Sequence, residues 1–242
     1  MKLAIALAAV ALATAVPAGA HQGSTRPVVL AAASLTDVFP KIDQRPRYSF
    51  EGSDQLAAQI EQGAPADVYA AASPKYPEQL HREGLLEKPI PFTSNRLVVV
   101  VPRANPARVR TVFDLTHDGI KVVVGDASVP IGAYTRQVLA RLKISKAVLG
   151  NVVSEEPDVR SILAKVALGE ADAGFVYVTD AKTVPGKVRS IAIPRRGEPV
   201  VRYELGIVKR SAHRRAASAF VREVLSRRGQ RLLRRAGFGP RR

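Results

Sequence analysis

Seven short apolar runs rich in valine and alanine, at 28–33, 68–72, 97–101, 122–124, 174–178, 191–193 and 205–208, have the length and composition of buried strands. Between them, apolar positions recur with helical spacing at 55–62, 75–83, 133–143 and 159–168. Two more helices close the chain. Phe220, Val221, Val224 and Leu225, then Leu232 and Leu233, form an apolar stripe with arginines on the other side, ending at Gly237 as a C-cap. Strands alternating with helices predict an α/β architecture with mostly parallel sheets. Neither an internal repeat nor a low-complexity linker interrupts the pattern, and folded material runs on from about Thr25.

An open α/β sheet binds its ligand beyond the carboxyl ends of its strands, so the residues that follow each run carry the candidate chemistry. Ser34 follows the first run directly, and Asp37 three residues on completes a capping-box pattern that gathers a hydroxyl and free helix N–H groups at one point. Such a point can hold an anion through dipoles alone. Taken singly, it reads first as a plain helix cap without a ligand, the commoner use of the pattern. The pattern recurs, however. Glu51-Gly52-Ser53-Asp54 follows the strand-like 48–50 and puts Ser53 at a helix start, Gly125 to Gly132 follows 122–124 and opens the helix near Ala133, and Pro157-Asp158 precedes the helix at 159. Tyr177 sits at the end of the run 174–178, where it reads as a ligand donor or as a core tyrosine bonded to a backbone carbonyl.

Composition narrows the function classes. Residues 1–20, with Lys2, the apolar stretch 3–16 and Ala18-Gly19-Ala20, have the three parts of a signal peptide cleaved after Ala20, which predicts an exported, periplasmic protein beginning at His21. The absence of cysteine removes disulfides, thiol catalysis and thiolate metal sites together. A formal net charge of +16 invites a nucleic-acid reading, but residues 209–242 hold twelve Lys and Arg against only Glu223. The excess is a C-terminal feature of packed surface helices whose arginines face solvent or an acidic membrane or partner surface, and no nucleic-acid motif accompanies it. Ser34, His81, His117 and Asp67 supply the residue types of a hydrolase without any Gly-x-Ser-x-Gly elbow. His21, His81, His117 and His213 lack metal-ligand spacing. No catalytic residue and no metal site is assigned.

The stretches Ala31-Ala32-Ala33-Ser34-Leu35-Thr36, Gln59 to Asp67, Val124-Gly125-Asp126 with Val129-Pro130 and Gly132-Ala133-Tyr134, and Gly174-Phe175-Val176-Tyr177 resemble, in order and spacing, the periplasmic molybdate-binding proteins of ABC transporters. The resemblance covers essentially the whole mature chain. It implies a type II periplasmic-binding-protein fold of two hinged lobes, one from residues 25–97 and 191–242 and the other from 98–190, with the ligand cleft between them. It also implies a monomeric, non-enzymatic protein without a cofactor, which captures molybdate, and tungstate of nearly the same size and shape, for a membrane permease. Molybdenum would enter only as bound molybdate. Carried over by position, the family's ligand contacts fall on Ser34 and Ser53 through hydroxyl and backbone N–H, on Ile131 and Val159 through backbone N–H, and on Tyr177 through its phenol. Molybdate is a tetrahedral dianion with four acceptor oxygens and no proton, so fixed neutral donors suit it without a cation in the cleft.

Four features depart from the family pattern. The segment from Ser34 to Ser53 is short, and Pro40 is expected to end the first helix early. Ile131 replaces a usual alanine, although only its N–H is needed. Glu51 and Asp54 flank Ser53 and are expected to face away from a dianion. Either of them turned inward would offer an acceptor to a protonated oxyanion such as phosphate, which with sulfate forms the alternative ligand class.

Overall fold

A computed structural model describes residues 26–241; the signal peptide and His21 lie outside the described residues. The order of elements is β1 (Val28–Ala32), α1 (Phe39–Ile42), β2 (Arg47–Glu51), α2 (Ser53–Glu61), β3 (Val68–Ala71), α3 (Lys75–Arg82), β4 (Ile90–Asn95), β5 (Leu97–Pro102), β6 (Val122–Gly125), α4 (Pro130–Leu142), α5 (Ser145–Gly150), β7 (Val152–Glu156), α6 (Val159–Leu168), β8 (Ala173–Tyr177), α7 (Val178–Ala181), β9 (Val188–Ala192), β10 (Val201–Ile207), α8 (Arg214–Leu225) and α9 (Arg227–Ala236). Ten strands form two five-stranded sheets, ordered β2-β1-β3-β10-β4 and β7-β6-β8-β5-β9, each flanked by helices as one of two lobes.

The sheets are built alike, although the sequence shows no repeat. Each has a parallel trio, β2-β1-β3 or β7-β6-β8, extended by two antiparallel strands, β10 and β4 or β5 and β9. The sheets are therefore mixed, and the expected parallel character belongs to the trios. Two connections join the lobes, at Arg96 between β4 and β5 and at 193–200 between β9 and β10. The second differs from the expectation that the chain returns to the first lobe at 191, because Ile191 pairs with Val99 in the second sheet. Leu97 likewise already belongs to β5, opposite Tyr177.

Burial explains why these runs become strands. Val29, Ala31, Val68, Ala70, Val99, Val100, Val123, Val124, Phe175 and Val176 lie in the apolar interior, and each β-branched side chain withdrawn from water contributes about 1.5–3 kcal/mol. In the first lobe α8 and α9 press Ala217, Phe220, Val221, Val224 and Leu233 inward, with the Phe220 ring edge-on to Phe39 at 5.3 Å. The arginines of both helices point outward, and Gly237, at φ +102°, ends α9 as expected. Among the described residues no helix is long and apolar enough to cross a membrane.

The first expected helix takes another form. Ala33–Leu35 is a single 3-10 turn, and Pro40 lies in the first turn of the separate α1 rather than ending the helix before it. Ser34 is consequently inside the turn and makes no capping bond, while Asp37 pairs instead with Arg160 of the other lobe. The capping box is not formed.

Candidate functional site

The carboxyl ends of five strands deliver one candidate residue each. Ser34 lies just beyond β1, Ser53 beyond β2, Ile131 beyond the loop after β6 and Val159 beyond β7, and Tyr177 is the last residue of β8. In-register parallel pairing keeps these ends level, Ala32 beside Glu51 in one lobe and Gly125 beside Glu156 in the other. All five residues line one small cavity between the lobes, of about 20 Å³, together with Ala32, Ala33, Gly52, Ala72, Val129 and Pro130. That volume suits one compact ion and excludes a sugar or peptide.

Three helices aim their amino ends at this cavity. Ser53 and Val159 are the first residues of α2 and α6, and Ile131 is the second of α4, so their N–H groups have no partner within their own helices. Gly132 permits this in α4. A Cβ there would lie 1.8 Å from the Asp126 carbonyl oxygen, so only glycine lets the helix start this close to the β6 loop. Both serines are buried and have their oxygens engaged from behind. Ser53 Oγ accepts from the Ala72 N–H at 3.1 Å, while its carbonyl accepts from the Tyr69 hydroxyl at 2.5 Å. Ser34 Oγ lies 2.9 Å from the Tyr203 hydroxyl.

Tyr177 is buried with its ring 5.9 Å from that of Tyr203, and its hydroxyl has no hydrogen-bond partner among the described residues. Burial, and then the Tyr203, Tyr134 and Asp180 groups around it, push the phenol well above its usual pKa. It therefore stays protonated. The alternative of a core tyrosine bonded to a carbonyl does not hold, because no carbonyl accepts from it.

Two carboxylates reach the lining, Glu51 and Asp158, and both are engaged elsewhere. Glu51 accepts from Ser49 Oγ and Gln59 Nε2, at 3.1 and 2.8 Å. Asp158 caps α6 by accepting from the Arg160 and Ser161 N–H groups, which leaves the Val159 N–H as the one its carboxylate does not take. Asp54, the other expected source of repulsion, is not in the lining and accepts from Ser128 Oγ across the cleft at 2.7 Å. Among the described residues no lysine or arginine lines the cavity.

Contacts missed by sequence reasoning tie the lobes together around this point. Tyr76 Oη donates to the Ser128 carbonyl at 2.6 Å, and Arg160 bridges Asp37 of the first lobe and Asp180 of the second. Gly52 approaches the opposite lobe so closely that a Cβ would lie 2.5 Å from the Pro157 carbonyl oxygen and 2.9 Å from Val129 Cγ1. Of these, only Gly52 had a signal in the sequence, as a glycine immediately before a helix start.

Two lobes joined by two connections, with neutral donors converging between them, define a binding protein for a small anion rather than an enzyme. The chain belongs to the bacterial extracellular solute-binding protein family, whose model matches residues 20–239. It is 38% identical over 232 residues to the molybdate-binding protein ModA of Mycobacterium tuberculosis, covering 92% of this chain and 87% of that one. It is 32% identical over 203 residues to ModA of Haemophilus influenzae, covering 77% and 79%. The periplasmic molybdate-binding protein of Azotobacter vinelandii has the same fold at a TM-score of 0.79, with 22% identity over 90% of this chain and 100% of that one.

Proposed function

We propose that this protein captures molybdate, and tungstate with it, for the membrane permease of an ABC importer, acting as a monomer in the periplasm. The observation that carries the reading is the donor set. Ser34, Ser53, Ile131, Val159 and Tyr177, whose hydroxyl and N–H groups supply the proposed donors, line a cavity of about 20 Å³ with no lysine or arginine among the described residues. Such a site favours a compact, fully deprotonated tetrahedral oxyanion, which accepts at every corner. The identity of the relatives supports the choice of molybdate within that class. Sulfate is the smaller member of the class, and phosphate, which keeps a proton near neutrality, gains an acceptor only if Glu51 or Asp158 releases its present partners.

A panel of molybdate, tungstate, sulfate and phosphate in a thermal-shift assay tests this. A ligand binding only the folded form at a hundredfold excess over Kd adds about 2.7 kcal/mol. For a chain of this size, that is a rise of about 5–11 °C. Molybdate and tungstate are expected to produce it at micromolar concentration. No shift with either at millimolar concentration, against a clear one with phosphate, overturns the reading.

A further inference from the structure

We propose that the outward face of α8 and α9 docks the protein on a membrane surface of anionic phospholipid. The choice of lipid rests on the importer reading above, which brings the protein to a membrane. The binding chemistry itself stands on the two helices. Between 214 and 241 nine arginines are exposed. Arg214 pairs with Glu87 and Arg228 with Glu223, and the other seven have no carboxylate within ion-pair distance among the described residues.

Helical spacing sorts these arginines onto one side of each helix. In α8 the buried positions are Ala217, Phe220, Val221 and Val224, and Arg215 and Arg222, two turns apart, stand on the opposite side. In α9 Gly229 and Leu233 are buried, and Arg227, Arg231 and Arg234 occupy the side away from them. Arg214, Arg215 and Arg222 surround Ser218, and the four line a shallow surface hollow of about 410 Å³. A small residue among three long ones leaves room for a phosphodiester to reach the guanidinium groups, which bind phosphate through paired N–H donors.

What the face lacks identifies its partner. Among the described residues the exposed large apolar side chains, Leu149, Val153, Leu168 and Val200, all lie elsewhere, and Phe220, the one aromatic residue of the two helices, is buried. A protein interface is built round apolar and aromatic anchors, and a site for single-stranded nucleic acid round stacking rings, so neither has its usual foothold here. A phospholipid surface needs only charge spread over the contact. Neither helix contributes a residue to the oxyanion cavity, so docking leaves capture of the ligand undisturbed.

Each arginine held near such a surface strengthens binding about fivefold, over a range of about 10 Å at 0.1 M salt. Co-sedimentation at that salt with mixed phosphatidylglycerol and phosphatidylcholine vesicles measures it, with phosphatidylcholine alone as the neutral surface. Arg215→Gln/Arg222→Gln/Arg227→Gln/Arg231→Gln removes four charges from the face, and Arg103→Gln/Lys146→Gln/Lys187→Gln/Arg189→Gln removes four exposed ones from the second lobe. The wild type is expected to bind the anionic vesicles and not the neutral ones, and to release them as salt rises. The face variant is expected to lose at least about 25-fold, as two of the four contacts alone would give, and the second-lobe variant less than about threefold. Molybdate affinity and the ligand-free melt are expected to be unchanged in both. If the fourfold face variant does not fold, Arg222→Gln/Arg231→Gln carries the test, with a loss of at least about fivefold.

Equal losses in the two variants make the binding a matter of net charge and overturn the proposal, as does a wild type that ignores anionic vesicles. If the face variant loses affinity for duplex DNA but not for vesicles, the face serves nucleic acid and the proposal falls. Displacement from vesicles by millimolar glycerol phosphate shows a site for one soluble phosphate ester, and that also overturns it. A wild type that binds vesicles but no molybdate leaves the docking surface standing and sinks the proposed function instead.

Discussion

Tyr177→Phe isolates one hydrogen bond from the packing around it, because the ring is buried and its hydroxyl has no hydrogen-bond partner among the described residues. Removing that oxygen takes nothing from the protein's own hydrogen bonding, and a phenylalanine ring fills the same place against Tyr203. Stability without ligand is expected to change by less than about 0.5 kcal/mol or to rise, since an unpaired buried hydroxyl carries a desolvation cost. Binding is different. A hydrogen bond to a charged acceptor contributes about 1.5–3 kcal/mol, so the dissociation constant for molybdate should increase by about 10- to 150-fold. At molybdate in hundredfold excess over the wild-type Kd the same loss removes about 3–10 °C of the ligand-induced rise in Tm. Isothermal titration gives the first number, and paired melts with and without ligand give the second. An affinity within threefold of wild type refutes the donor role. A fall of several degrees in the ligand-free melt refutes the premise that the hydroxyl is unpaired in the fold.

Two further outcomes follow from groups outside the donor set. Gly52→Ala keeps an allowed backbone, at φ −59° and ψ 139°, but places a methyl group 2.5 Å from the Pro157 carbonyl of the other lobe. It is expected to weaken molybdate at least about tenfold, by the overpacking cost of a closed cleft, with little effect on the ligand-free melt. Wild-type affinity, or full compaction with ligand in small-angle scattering, contradicts this. Asp180 is fully buried against Arg160, and its carboxyl is pushed up to about 7, burial outweighing the guanidinium. Its ordinary value is 3.8, so between the two values the folded form keeps a proton that the unfolded form releases. Stability from this group is greatest below about pH 4, falls as pH rises towards 7 and is flat above it. Relative to Asp180→Asn, the wild type should gain about 2–3 kcal/mol on going from pH 8 to pH 5, read by urea unfolding. Parallel pH profiles for the two proteins would show that the carboxyl titrates normally.

The strands legible in the sequence were those with neighbours on both sides. β1, β3, β6 and β8 are each flanked by two strands and covered on both faces, which makes them continuous apolar runs. The unread strands are edges. β4 contains Pro91 and ends Thr-Ser-Asn, and it closes the first sheet beside β10 with a register shift at Tyr203/Glu204, where an edge tolerates a missing donor. β7 reads Val-Val-Ser-Glu-Glu with alternating burial at the border of the second sheet, and β9, at the opposite border, is mostly exposed and was shifted in the reading to 191–193. An edge strand needs only one apolar face and one pairing partner, so its composition resembles that of a loop. The boundary between the lobes was misplaced at 191 for the same reason, since it falls after an edge strand.

The site was legible to the extent that backbone position defines it. Ser53, Ile131 and Val159 stand at the amino ends of helices, and a helix start following a strand is a pattern of order along the chain. Ser34 lines the cavity, but not by the capping expected of it, since the capping pair gives way to a 3-10 turn, an ion pair from Asp37 to the other lobe and a bond to Tyr203. What order along the chain cannot carry is the direction of a hydroxyl proton. Ser34 Oγ meets a tyrosine hydroxyl 169 residues away, and that hydroxyl meets an asparagine whose amide is oriented by the next residue's N–H and by a threonine of the other lobe. Tyr203 and Asn95 read in sequence as strand residues, one aromatic and one terminal, with nothing to set them apart. A serine is equally donor and acceptor, so its place along the chain does not state which of the two it offers a ligand.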